Sequence, residues 1–232
     1  MDYDNWAEAY DDIFPLDESK LSFLREHLGE GRIADIGCAT GAYVRALAME
    51  GNHVEGYDVA PALIEMAKRR TKDLNHATFH IMDMLDFDGR NAYDGIYTIG
   101  NSLVHLQEPA KIQAALVHFY KALKKGGRLI VQIVNYDRIL SQDIKELPAI
   151  HGEHYSLERR YSYVGGFVNF KTILKKNSQH FTNEVLLYPL TSGELDALAR
   201  EAGFESPAYH GGFTERSFDK DKSFALVGVF EK

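Results

Sequence analysis

Short apolar runs alternate with amphipathic stretches over the first two-thirds of the chain, which is the hydrophobic pattern of a β-α-β protein. Ile33–Ala34–Asp35–Ile36 is apolar except at Asp35 and is closed by Gly37, so it predicts a buried strand ending in a tight turn. Ala42–Glu50 then reads as a helix and Val54–Asp58 as a second strand. Ala60–Leu74, with Leu63, Ile64, Ala67 and Leu74 at helical spacing, is entered through Pro61 in its first turn. Strands over Ala77–Asp83 and Tyr93–Gly100, a helix over Pro109–Lys124 stopped by Gly126–Gly127, and a strand over Arg128–Val134 continue the alternation. That order predicts a mostly parallel sheet with helices on both faces and ligands at the carboxyl ends of its strands.

The pattern changes over residues 138–190. Short alternating, aromatic-rich segments at Arg160–Val164, Gly166–Leu174 and Glu184–Tyr188 predict antiparallel strands, an inserted β cap and not another β-α unit. Thr191-x-x-Glu194 is a capping-box signature ahead of Leu195, Leu198 and Ala199, and Gly203 ends that helix. Two closing strands, Glu205–Tyr209 and Ser223–Phe230, bring the expected sheet to seven strands. The reading is one domain over 1–232 with a β-rich cap over 138–190.

Composition narrows the class. A chain of 232 residues, 45% of them hydrophobic, can bury a full core. Its longest apolar runs, such as Leu129–Val134, fall far short of the roughly 20 residues of a spanning helix, and Asp2, Asp4 and Glu8 do not suit a signal peptide. No membrane role and a cytoplasmic setting are therefore expected. The formal charge of −8 disfavours nucleic acid, and the basic clusters Lys68–Arg69–Arg70, Lys124–Lys125, Arg159–Arg160 and Lys175–Lys176 are short and scattered. Cys38 has no disulfide partner and reads as a small buried filler. His76 and His80 lie four apart in a strand, where that spacing separates side chains by about 13 Å, so no metal is expected.

The candidate chemistry starts at Gly37 and Gly41, which lack a Cβ and let a ligand approach the backbone ahead of a helix N-terminus. Asp58 ends the next strand roughly 20 residues on, where a ribose-binding acid belongs in such folds. The dinucleotide fingerprint G-x-G-x-x-G is not met, because Ala39 and Ala42 stand where it needs glycine. Asp35-Ile-Gly37-Cys-Ala39-Thr-Gly41 instead resembles motif I of the class I S-adenosylmethionine (SAM)-dependent methyltransferases, commonly D-x-G-x-G-x-G. Ala39 departs from it at the middle glycine. A negative φ there would accommodate the methyl group, whereas a positive φ would strain the turn.

The resemblance implies a Rossmann-like class I methyltransferase fold, whose terminal strand hairpin matches the closing strands here, and SAM as cofactor. It places Asp58 at the ribose, Asp83–Met84 at the adenine, Ile99 and Gly100 against the methionine portion and Asp35 near the amino group, with Gly37, Gly41 and Val59 also at the cofactor. Tyr3, Trp6 and Tyr10 share a helical face, and in similar enzymes such a segment folds over the cofactor, with Tyr10 the preferred contact. Lys20 and Arg25 are candidates for the cofactor carboxylate. Asn135–Tyr136–Asp137 looks like the acceptor-facing segment of glycine and sarcosine N-methyltransferases, which makes Asn135 and Tyr136 acceptor candidates, with His105 a candidate base. The acceptor is expected to be a small molecule, an amine before a hydroxyl, and a homodimer is compatible with this reading. The alternatives are a SAM-binding regulatory protein without turnover and a nicotinamide-dependent oxidoreductase.

Overall fold

The computed structural model describes residues 3–232. Its order is α1 (Tyr3–Ile13), α2 (Glu18–Leu28), β1 (Arg32–Ile36), α3 (Ala42–Met49), β2 (His53–Asp58), α4 (Pro61–Arg70), β3 (Ala77–Ile81), β4 (Tyr93–Thr98), α5 (Pro109–Ala122) and β5 (Leu123–Val134). There follow α6 (Tyr136–Ser141), β6 (Glu146–His151), β7 (Ser156–Val164), β8 (Phe167–Lys176), β9 (Gln179–Leu187), α7 (Ser192–Ala202), β10 (Glu205–His210) and β11 (Ala225–Glu231). Seven strands form one sheet in the order β10-β11-β5-β4-β1-β2-β3, parallel from β5 to β3, with β11 antiparallel to both β5 and β10. This is the Rossmann-like class I methyltransferase fold.

Alternation along the strands builds a core on each face of the sheet. Ile33 packs with Leu24 of α2, Val44 of α3 and Ile64 of α4, while Ala34 and Ile36 face Leu116 and Phe119 of α5. The chain runs outward from β1 through β2 and β3 and then returns to β4 on the other side, which opens a crevice at the carboxyl ends of β1 and β4.

Strands β6–β9 form a separate antiparallel sheet between α6 and α7. The sequence pattern had not predicted β6, whose Glu146–His151 contains Pro148, a residue that suits an edge strand. The Gly126–Gly127 stop is also corrected: α5 gives way at Leu123, and both glycines lie within β5. Thr191 Oγ1 caps α7 by accepting from the Glu194 amide, but the Glu194 carboxylate accepts from the Tyr188 hydroxyl at 2.6 Å and does not complete a capping box.

Helix α1 is fastened on two sides. Asp11 accepts from the Thr40 hydroxyl in the glycine turn and pairs with Arg70 of α4, while Asp12 accepts from the backbone N–H groups of Glu153, His154 and Tyr155 at 2.8–3.0 Å. Ala9 and Ile13 pack against Leu157 and Leu174 of the second sheet. The helix therefore bridges the two sheets across the crevice.

Candidate functional site

A cavity of about 640 Å³ occupies the crevice. Its floor is the glycine turn, with Asp35, Gly37, Cys38, Ala39 and Thr40; Asp58 closes one side, and Ile99, Gly100 and Ser102 from the end of β4 close the other. Tyr10 and Ile13 of α1 and Phe14 just after it cover the cavity, while Leu157, Phe170, Thr172 and Asn183 face it from the second sheet.

The turn has no room for a larger residue at Gly37. Its φ is +83°, and a Cβ there would sit 2.6 Å from Ser102 Oγ. Ala39 also has positive φ, +49°, in the left-handed region, and its N–H donates to Asp58 Oδ2 at 2.9 Å. The middle position of the turn thus carries the strain that its alanine made a concern. Ala39→Gly is expected to raise stability by about 1 kcal/mol, measured by urea unfolding; an unchanged or lower midpoint would show that the turn holds alanine without strain.

Of the three acids on the wall, Asp17, Asp35 and Asp58, the latter two are the more buried. Asp35 is almost wholly buried, its Oδ1 has no hydrogen-bond partner of good geometry, and burial pushes its carboxyl up to about 8, opposed by the nearby Tyr97 hydroxyl and reinforced to a smaller extent by Asp58. The Tyr97 hydroxyl, opposite it on β4, is buried beside the Asp35 carboxyl and is the polar group that steadies it. Burial raises Asp58 too, offset by the N–H groups of Ala60 and Ala39 that its two oxygens accept. Burial holds the Tyr10 hydroxyl well above its usual range, reinforced by Asp58 and Asp35. His105 is exposed on the wall, where partial desolvation by its surroundings lowers it from its ordinary value and favours the neutral imidazole. Burial likewise pushes the Cys38 thiol up, as suits a filler and not a nucleophile.

Residues 33–127 match the family described as methyltransferase domain. The chain carries a SAM-dependent methyltransferase domain. A glycine/sarcosine/dimethylglycine N-methyltransferase of Actinopolyspora halophila is 28% identical over 98% of this chain, which spans 40% of that longer relative. A glycine/sarcosine N-methyltransferase of Halorhodospira halochloris is 27% identical, with 99% of this chain matched to 88% of that one. Among solved structures, a SAM-dependent methyltransferase from Clostridium acetobutylicum aligns with a TM-score of 0.81 at 13% identity, covering 99% of this chain and 98% of that one. SAM-bound CalS10, an amino pentose methyltransferase from Micromonospora echinaspora, aligns at 0.70 with 21% identity, covering 100% and 98%.

Of the residues singled out in the sequence, the methyltransferase domain gathers Tyr10, Asp35, Gly37, Asp58, Ile99, Gly100 and His105 around the cavity. Gly41 lies just behind the wall as the N-cap of α3, at φ +75°. Val59 is about half exposed outside the cavity, and Asp83 caps the short turn Met84–Asp86 by accepting from the Leu85 N–H. Lys20 reaches the wall beside Asp17 and Tyr43, but Arg25 is bound by Glu18 and Glu50 at the surface. The side chains of Tyr3 and Trp6 lie outside the described ones.

Asn135 and Tyr136 do not line the cavity. Asn135 is fully buried, caps α6 by accepting from the Arg138 N–H at 3.1 Å, and donates to the carbonyls of Lys220 and Ser223 at 3.0 and 2.9 Å. Tyr136 is buried behind the strand ends, where its hydroxyl accepts from Asn101 Nδ2 at 3.0 Å. Local sequence resemblance could not separate a residue facing the acceptor from one that ties β5 to the 219–223 loop. Asn135→Ala is expected to cost about 2–4 kcal/mol in urea unfolding while the folded fraction binds SAM normally. A stable variant with impaired turnover would return it to the site.

The missed wall residues have weak sequence signals. Asp17 stands before an amphipathic stretch and does cap α2, accepting from the Ser19 and Lys20 amides, yet nothing local marks it as facing a ligand. One group far from any recognisable spacing is His27, His210 and Glu215, whose candidate ligand atoms all lie within 4.8 Å of one another. They come from α2, β10 and the loop after it.

Proposed function

We propose that this chain transfers the methyl group of SAM to the nitrogen of a small molecule held beneath the β6–β9 sheet, with residues 138–190 acting as an acceptor cap. The observation that carries this reading is a single cavity shared by the glycine turn with Asp58 and the inner face of that sheet.

The residues present fit SAM. Each Asp58 oxygen accepts one backbone N–H and keeps a further lone pair, so the carboxylate can take both ribose hydroxyls. The unpartnered Asp35 Oδ1 suits an ammonium, and the Tyr10 ring suits a cationic centre. Asp83 and Met84, at the end of the strand beside β2, are the proposed adenine edge, with Val59 at the ribose side. When bound, SAM supplies a methyl group already activated for in-line displacement.

The chain's own contribution is to align and dehydrate the acceptor, and α1 with the second sheet covers the crevice from solvent. His105, neutral and on the wall, accepts the proton that the amine must lose. The preference for nitrogen rests on the N-methyltransferase relatives.

Incubation with isotope-labelled SAM and a metabolite pool, followed by mass spectrometry, is expected to give small molecules carrying one added methyl group. Label confined to nucleic acid or protein, or no transfer despite SAM binding, would refute the assignment. With an acceptor in hand, His105→Gln should lower kcat about 100-fold and remove the acidic limb of its pH profile; an unchanged profile would exclude His105 as the base.

A further inference from the structure

Away from the cavity, the last turn of α2 meets β10 and the loop that follows it. His27 of α2, His210 of β10 and Glu215 of the loop each bring one candidate ligand atom, all within 4.8 Å of one another. His27 Nε2 lies 3.2 Å from Glu215 Oε1, close to the separation of about 3.4 Å between two ligands on a tetrahedral Zn2+ with bonds of about 2.0–2.1 Å. The loop is closed at its base. The Gly211 N–H donates to the Arg216 carbonyl at 2.8 Å and His210 bridges to Ser217, so His210 and Glu215 are held as a pair before an ion arrives.

His210 is 9% exposed, and its ring is oriented for ligation. Its Nδ1 faces the Thr214 carbonyl at 3.1 Å, and because a carbonyl oxygen only accepts, that nitrogen carries the proton. The neutral ring then has its lone pair on Nε2, which has no hydrogen-bond partner among the described residues. Metal-binding imidazoles are arranged in this way, with the second nitrogen donating to a backbone carbonyl that fixes the tautomer. Phe23 steadies both rings, its centroid 4.1 Å from that of His27 and 5.1 Å from that of His210, and Phe213 closes the apolar side at 5.7 Å from Phe23. An ion pair between His27 and Glu215 alone would leave the His210 lone pair unused.

We propose that His27, His210 and Glu215 form a binding site for a divalent transition metal ion of the Zn2+ class, which clamps α2 to β10 and its following loop. Two imidazole nitrogens and one carboxylate suit Zn2+, whereas Mg2+ and Ca2+ call for oxygen ligands. The clamp acts on the fold and stands independently of methyl transfer. It fastens the end of α2 opposite Asp17 and Lys20, which border the cavity, to the edge strand of the seven-stranded sheet. Only the fold brings His27 to the other two, so no ligand spacing in the sequence marks the site.

The test uses the full chain without a histidine tag, stripped with chelator and then titrated calorimetrically with ZnCl2. The expected result is one Zn2+ bound with a Kd of about 1 µM or tighter and no comparable binding of MgCl2 or CaCl2. Tm should rise by about 5–10 °C at free Zn2+ about 100 times Kd. In unsubstituted protein labelled with 15N-histidine, Zn2+ should shift the ring nitrogens of His27 and His210 and leave in place those of His53 and His76, which face each other at 3.3 Å. That readout decides the question even where a variant fails to fold. His27→Gln and Glu215→Gln should each weaken Zn2+ by about tenfold or more while melting within about 2 °C of wild type in chelator. The double variant His53→Gln, His76→Gln should bind Zn2+ as wild type does. No Zn2+ binding by the wild type, wild-type affinity in both His27→Gln and Glu215→Gln, or shifts confined to His53 and His76 would overturn the proposal.

Discussion

Asp58→Ala is expected to weaken SAM binding by about 100-fold or more in isothermal titration, the largest effect of any single change at this site. Two losses combine. The ribose loses a charged acceptor, and hydrogen bonds to charged groups typically contribute about 1.5–3 kcal/mol, or one to two orders of magnitude in affinity. The turn also loses the acceptor of the Ala39 and Ala60 N–H groups, of which the first steadies a residue in the left-handed region. Asp58→Asn separates them, since its amide keeps one acceptor oxygen and should retain part of the affinity. Wild-type affinity in both variants would remove Asp58 from the cofactor site.

Asp35→Asn should move stability and binding in opposite directions. An aspartate in the unfolded chain titrates near 3.9, whereas burial pushes the folded Asp35 up to about 8. Between those values the folded protein holds a proton that the unfolded chain has released, so this residue's contribution to stability is fullest at low pH and falls as pH rises through about 8. Asparagine removes that slope, and the variant is expected to unfold at higher urea concentration than wild type at pH 8. SAM has the reverse dependence, because an ammonium favours the ionised carboxylate. Ionisation rises from about 1% at pH 6 to about half at pH 8, which allows SAM to tighten by up to about 50-fold over that interval. The variant should bind weakly and without this pH dependence. A wild-type affinity that is flat from pH 6 to pH 8 would mean that Asp35 anchors the turn and does not meet the cofactor.

The candidate site was unevenly legible. Residues at the carboxyl ends of β1, β2 and β4 were marked because a strand, a tight turn and an acid at a characteristic spacing force backbone and ligand together, and Asp35, Gly37, Asp58, Ile99 and Gly100 all border the cavity. Asn135 and Tyr136 sit at an equivalent strand end and look as functional in the sequence, yet the fold turns both inward. Asn is equally suited to hold a ligand and to cap a helix, and only its neighbours decide between the two.

Periodicity and turn chemistry determined the classes of element: the alternating β-α order called for parallel strands covered by helices, and the aromatic alternation after α6 called for antiparallel strands. The tertiary structure decided what these elements face. Arg159 and Arg160 are adjacent and chemically identical, but strand alternation sends Arg160 out to Glu158 and puts Arg159 on the face of β7 that carries the buried Leu157 and Tyr161. That orientation depends on which face of β7 is covered by α1 and the crevice, a contact between segments far apart in the chain, and no local pattern encodes it.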